Sequence, residues 1–143
     1  MYAKQVSVFL ENAKGRLAEV TKLLADEKIN IRALSLADMA EFGVLRLIVN
    51  DRARCLRVLR EHDFAAQETD VIAVEMEDKP GGLHRIIEVL DRQDINIEYM
   101  YAFFEKSGSN AIVVFKIDDG ERAVDALEKS GICILPDDMI QNL

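Results

Sequence analysis

The chain has 143 residues, half of them hydrophobic and 31% charged, with only seven Gly and two Pro. That profile belongs to a soluble globular protein with no room for a disordered linker. Its net charge of −8, from 26 acidic against 18 basic residues, argues against nucleic acid as a partner, and no apolar run approaches the ~20 residues of a membrane helix.

In chain order, Val6, Val8 and Leu10 alternate and predict a half-buried strand. A helix follows Gly15, and Ile29-Asn30-Ile31 opens a second strand over Arg32–Ala37. A turn at Gly43 leads to a third strand, Val44–Val49. The next helix spans about Arg52–Glu61; Arg52, Arg54, Arg57 and Arg60 interleave with Cys55, Leu56, Val58 and Leu59, as expected of its solvated face rather than the alternative, an anion-binding patch. A short fourth strand lies near Phe64–Glu68.

The series then repeats. Ile72, Val74 and Met76 alternate, and Leu83, Ile86, Ile87 and Leu90 share one helix face at i, i+3, i+4, i+7. Ile95-Asn96-Ile97 opens a strand over Glu98–Phe104, and a turn at Ser107-Gly108-Ser109 leads into Ala111–Ile117. A helix over Glu121–Lys129 ends before Gly131, and a strand near Ile132–Leu135 closes the unit.

Sliding the sequence by 66 residues sets Val6–Ile31 on Ile72–Ile97, with identities at Val8/Val74, Glu11/Glu77, Gly15/Gly81, Leu17/Leu83, Leu24/Leu90 and both INI triplets. After a hairpin two residues longer in the second copy, the offset becomes 68 and Leu45–Asp51 meets Val113–Asp119. The chain is a duplication of βαββαβ. Its expected fold class is α+β, two ferredoxin-like units with antiparallel sheets and helices on one face. The expected domains are residues 1–70 and 71–143, with no flexible linker around Thr69-Asp70-Val71.

The loop between strand one and helix one carries the chemistry. In the second copy it reads Glu77-Asp78-Lys79-Pro80-Gly81-Gly82-Leu83. Pro fixes φ, and glycines let the backbone approach a ligand closely. Unsatisfied N–H groups at the following helix start favour a carboxylate or phosphate; Asp78 would take an ammonium group and Asn96 would add an amide. Taken singly, these residues are equally ordinary turn and cap chemistry. Only in combination with the duplicated frame do they indicate a site.

The pattern of strand, D-x-P-G-x-L, helix, I-N-I, strand resembles the ACT domain, a regulatory module of amino-acid biosynthetic enzymes. The whole chain is similar to free-standing tandem ACT proteins, from VFLENAKGRLAEVT and INIRALSLAD to DKPGG and INIEYMYAF. The resemblance implies an amino acid or similar small ligand held where ACT units meet. It places contacts on Asn12, Ala13, Gly15, Asn30 and Ile31 in the first copy, and on Asp78, Pro80, Gly81, Gly82, Leu83, Asn96 and Ile97 in the second.

Two departures stand out. Lys14 replaces the proline in the first copy, and Lys28 and Asp94 occupy the spot before INI where the family usually has glycine. If that spot is left-handed, each costs up to ~1–2 kcal/mol, with Asp the better tolerated.

Other features bear on assembly. In the strand of the second copy, Tyr99, Tyr101 and Phe103 share one face while Met100, Ala102 and Phe104 share the other. A second apolar face implies contact with a further unit, either the first copy or a second chain, and a homodimer is expected. Arg46 sits inside an apolar strand and needs a partner, either Asp38 across the hairpin or a ligand carboxylate. Cys55 and Cys133 fall one in each half, form no CxxC pair, and read as small buried hydrophobes in a reducing compartment. The start MYAKQVSVFL has no secretory pattern, so a cytoplasmic location is expected. His62 and His84 occupy non-equivalent positions, and nothing has metal spacing or a nucleotide or nucleophile motif. No catalytic centre, metal or cofactor is expected. The alternative function is a regulatory subunit docking on a separate biosynthetic enzyme, such as an acetolactate-synthase-like partner.

Overall fold

The computed structural model describes residues 2–38, 41–104, 108 and 110–143, with only the backbone of Asp38. The elements run β1 (Ala3–Glu11), α1 (Arg16–Asp26), β2 (Ile31–Asp38), β3 (Phe42–Val49), α2 (Arg52–Glu61) and β4 (Ala65–Glu77). They continue as α3 (Gly82–Arg92), β5 (Ile97–Phe104), β6 (Asn110–Ile117), α4 (Gly120–Lys129), β7 (Ile134–Leu135) and α5 (Asp137–Gln141). The duplicated βαββαβ order is thus the architecture, with one short helix added at the end. Ser107 and Ser109 of the expected second turn lie outside the described residues.

The chain divides into two units. One comprises Lys4–Thr69 with Gln141–Leu143; the other comprises Asp70–Ile140 with the first residues through Ala3. In the first the strand order is β4-β1-β3-β2, with β1 and β2 both antiparallel to β3. In the second it is β7-β4-β6-β5, with β4 and β5 antiparallel to β6. The residues of β4 are divided between them, those through Thr69 belonging to the first unit and those from Asp70 to the second.

Alternation places one side of each strand under the helices. Val6, Val8 and Leu10 of β1 and Leu45 and Leu47 of β3 meet Val20 and Leu24 of α1 and Val58 and Leu59 of α2. The second core repeats this with Ile72, Val74, Val113, Phe115, Ile86, Leu90 and Leu127. Each such side chain contributes about 1.5–3 kcal/mol on burial. In β5, Met100 lies opposite Phe115 and Ala102 opposite Val113, so their row faces the helices, and Tyr99, Tyr101 and Phe103 lie on the other face.

Backbone specials fall at matching positions. Gly15 and Gly81 open α1 and α3 at φ +91° and +87°, and Lys28 and Asp94 sit at φ 57° and 56° before the INI triplets. The spot is left-handed, as the glycine habit of that position implies. Asp63 and Gly131 follow α2 and α4 at φ 64° and 75°.

The arginine run of α2 is exposed or half-exposed, and its charges are met within its own unit. Arg52 pairs with Glu68 at 2.5 Å, Arg54 with Glu27 at 2.8 Å, and Arg60 donates to the Ala66 carbonyl at 3.0 Å.

The cysteine reading needs one correction. Cys55 is buried in α2, but Cys133 is exposed. Cys133 immediately precedes β7, a strand of two residues at the edge of its sheet, so no further strand covers it. Two other features escaped the sequence reading: α5 itself, and Tyr2, which packs against the second core with its ring over Gly120.

Candidate functional site

Helix starts differ systematically within each unit. Asp51 and Asp119 cap α2 and α4, each carboxylate accepting from the backbone N–H three residues on, at 3.2 Å and 3.3 Å. By contrast α1 and α3 begin at Gly15 and Gly81 with no side-chain cap. Their first N–H groups, of Arg16 and Gly82, donate to the loop carbonyls of Ala13 and Lys79 at 3.3 Å and 3.0 Å. The positive helix end is met by an acidic side chain, Glu19, in α1 but by none in the first turn of α3.

In the second unit that uncapped start borders a cleft of about 250 Å³, lined by Glu75, Met76, Glu77, Lys79, Gly81, Gly82, Arg85, Ile86, Asn110, Gly131, Ile132 and Cys133. Its floor is apolar, from Met76, Ile86 and Ile132. Its rim carries both signs of charge. The Arg85 guanidinium donates to the Ser130 carbonyl at 3.2 Å, and the Asn110 amide donates to Glu75 at 3.2 Å. Lys79 lies 2.5 Å from Glu77, and their hydrogen bond and charge hold the Glu77 carboxyl below its usual range. The Cys133 thiol is pushed up by partial burial, then by the charge and hydrogen bond of Glu75.

Gly82 is required by packing. A Cβ there would overlap the Glu77 carbonyl oxygen, so the loop folds down onto the helix start only because residue 82 has no side chain. Gly81 faces open space and is required by its positive φ alone.

The first unit has a groove of about 260 Å³ on the other side of its loop, lined by Leu10, Glu11, Asn12, Ala13, Arg16, Leu17, Leu36, Ala37 and Gly43. Of the residues expected to bind, Asn12 and Ala13 line this groove, while Gly81 and Gly82 line the second unit's cleft. Gly15 is the N-cap of α1, and Asp78, Pro80 and Leu83 are exposed beside the second cleft without lining it.

The INI triplets lie elsewhere. Glu11 pairs with Phe42 at the start of β3, whereas Ile31 pairs with Val49 at its end. At ~3.3 Å per residue the two are about 23 Å apart along the sheet. Glu77 and Ile97 are separated in the same way along β6. No unit therefore brings its own loop beside its own triplet. Asn30 is held by Asn50, whose side-chain oxygen accepts from its N–H at 2.8 Å and whose N–H donates to its carbonyl at 3.2 Å. Asn96 is exposed, and Ile31 and Ile97 are half-buried against their cores. Arg46 lies opposite Ser7 and Ser35 on the face away from the helices. Its expected partner Asp38 pairs in register with Gly43, and the Asp38 side chain is outside the described residues.

The sequence reading missed Arg85, Glu75, Asn110 and Cys133. Arg85 reads as one more solvated position on α3, and only the fold sets it beside the start of β7. Comparing the copies would have flagged it, because its counterpart Glu19 has the opposite charge.

The family model of the ACT domain pair matches residues 1–142. The chain belongs to the ACT domain pair family. Among solved structures, a Bacteroides thetaiotaomicron protein is 37% identical over 100% of this chain and 98% of that one, with a TM-score of 0.92. The regulatory subunit of aspartate kinase from Thermus thermophilus, in ligand-free form, shares the fold at a TM-score of 0.61, with 16% identity over 88% of this chain and 91% of that one. No curated protein sequence matches. The ACT domain pair is a regulatory domain type. Among the described residues, no three His, Cys, Asp or Glu side chains are grouped to hold a metal ion, and no helix is long and apolar enough to cross a membrane.

Proposed function

We propose that this ACT pair is an amino-acid-sensing regulatory protein, cytoplasmic and homodimeric, whose ligand binds at the loop between the first strand and first helix of a unit. The observation that carries the reading is the second unit's cleft. An uncapped helix start and Arg85 offer a place for a carboxylate, Glu75 and Glu77 offer one for an ammonium, and an apolar floor lies between. Its volume is near the lower end for small-molecule pockets, which suits a ligand of amino-acid size. Binding shifts a regulatory equilibrium only by its differential affinity for the two states.

Thermal unfolding with each of the twenty amino acids at millimolar concentration tests this. At ten times Kd, binding adds ~1.4 kcal/mol and lifts Tm by about 3–6 °C for a chain of this size. If no amino acid raises Tm, the sensing reading fails.

A second reading, a regulatory subunit docking on a separate biosynthetic enzyme, has support of its own. The edge strands β2 and β5 expose Leu34 and Leu36, and Met100 and Phe104, the last at 71%. Such apolar rows favour association with a further chain. Sedimentation of the purified protein separates the cases: a stable dimer assigns the rows to self-association, and a monomer leaves them for a different partner.

A further inference from the structure

The two copies of the loop are not equally open. The offset of 66 sets Arg16 on Gly82 and Glu19 on Arg85; the offset of 68 sets Phe64 on Ile132 and Asp63 on Gly131. In the first unit these counterparts are in contact. The Arg16 guanidinium lies 4.7 Å from the centroid of the Phe64 ring and 3.0 Å from the Glu19 carboxylate. Its Nε is buried with no hydrogen-bond acceptor among the described residues, as expected of a side chain pressed into the place by packing and cation–π attraction. In the second unit the corresponding walls, Ile132 and Arg85, border the open cleft, and Gly82 sends nothing into it.

We infer that Arg16 plugs the first unit's copy of this cleft, that each chain therefore offers one open site of this kind, and that the site takes a ligand whose carboxylate faces Arg85. The inference rests on the amino-acid reading above. The charge pattern supports the polarity. Where the first unit has a cationic plug against an acid, the second has a void against a base, which favours a ligand that brings a negative charge to Arg85 while Glu75 and Glu77 meet its positive end. Arg85 is positioned for this, because its bond to the Ser130 carbonyl uses one of five N–H donors and fixes the guanidinium at the rim. Nor can the second unit acquire the same plug, since Gly82 has no room for a Cβ beside the Glu77 carbonyl.

Titration calorimetry on the full chain tests it, with each L-amino acid that raises Tm and with the amine left by removing its carboxylate. We expect one amino acid per chain and no heat from the amine. Arg85→Glu should weaken the amino acid at least tenfold, and Arg85→Lys should keep most of the affinity. Arg85 is exposed on α3, so both variants should fold, with circular dichroism as the check. Two amino acids per chain, equal binding of the amine, or unchanged affinity in Arg85→Glu would overturn the inference and leave amino-acid sensing standing. No binding by any amino acid would overturn both.

Discussion

The loops after β1 and β4 descend from one ancestral turn, and both open a helix through a left-handed glycine, yet they have settled differently. The first carries a side chain at the first helical position, Arg16, which reaches back over Phe64. The second carries Gly82 there, lies against the helix start, and leaves a cleft beside Arg85. The residue at the first helical position thus sets the main difference between the two spaces, with Glu19 and Phe64 exchanged for Arg85 and Ile132 around it. Duplication gave the chain two chances at a site, and side-chain volume accounts for the difference between them.

The largest expected effect separates the loops directly. Gly82→Ala forces a Cβ against a backbone carbonyl that cannot move aside, and should cost about 2–3 kcal/mol. Arg16→Ala removes one cation–π contact and one exposed ion pair, and should cost less than ~1 kcal/mol. Urea unfolding midpoints at constant m measure both; equal costs would mean that the two helix starts are packed alike. An intermediate effect should be the same in both units. Gly15→Ala and Gly81→Ala meet no neighbour and suffer only the left-handed strain, about 1–2 kcal/mol each. A marked difference between them would break the equivalence of the two turns. The smallest effect has the opposite sign. Lys28→Gly and Asp94→Gly relieve strain at φ 57° and 56° and should stabilise by up to ~1 kcal/mol, less for Asp94 because Asp tolerates this region better.

Much of this was legible in the sequence because it is periodic. Alternation at Val6, Val8 and Leu10, helical spacing at Leu83, Ile86 and Leu90, and two INI triplets in one register were enough to read βαββαβ twice. What stayed hidden depends on ends and edges. The helix α5 is one turn after Pro136, too short for any periodicity to register. Cys133 is exposed because β7 has two residues, a length no residue pattern announces. The remaining gap is one of distance in space. The loop and the INI triplet lie close in sequence, but within one unit helix α1 or α3 carries the chain the full length of the sheet between them, and residues that join the loop at the second cleft come from β6 and the segment before β7.

The most direct test of an open second cleft uses the thiols that the fold supplies, one in each unit. Cys133 lines that cleft and is exposed. Cys55 is buried, and its burial, then the Asp51 carboxylate nearby, pushes its thiol up to about 12, so it serves as an internal control. Folded protein is alkylated near pH 9 with and without a saturating amino acid chosen for its rise in Tm, and the modified residue is identified by peptide mass. The account predicts labelling at Cys133 that slows several-fold when the amino acid is present, with Cys55 unlabelled throughout. A Cys133 labelling rate that is the same with and without the amino acid would contradict it.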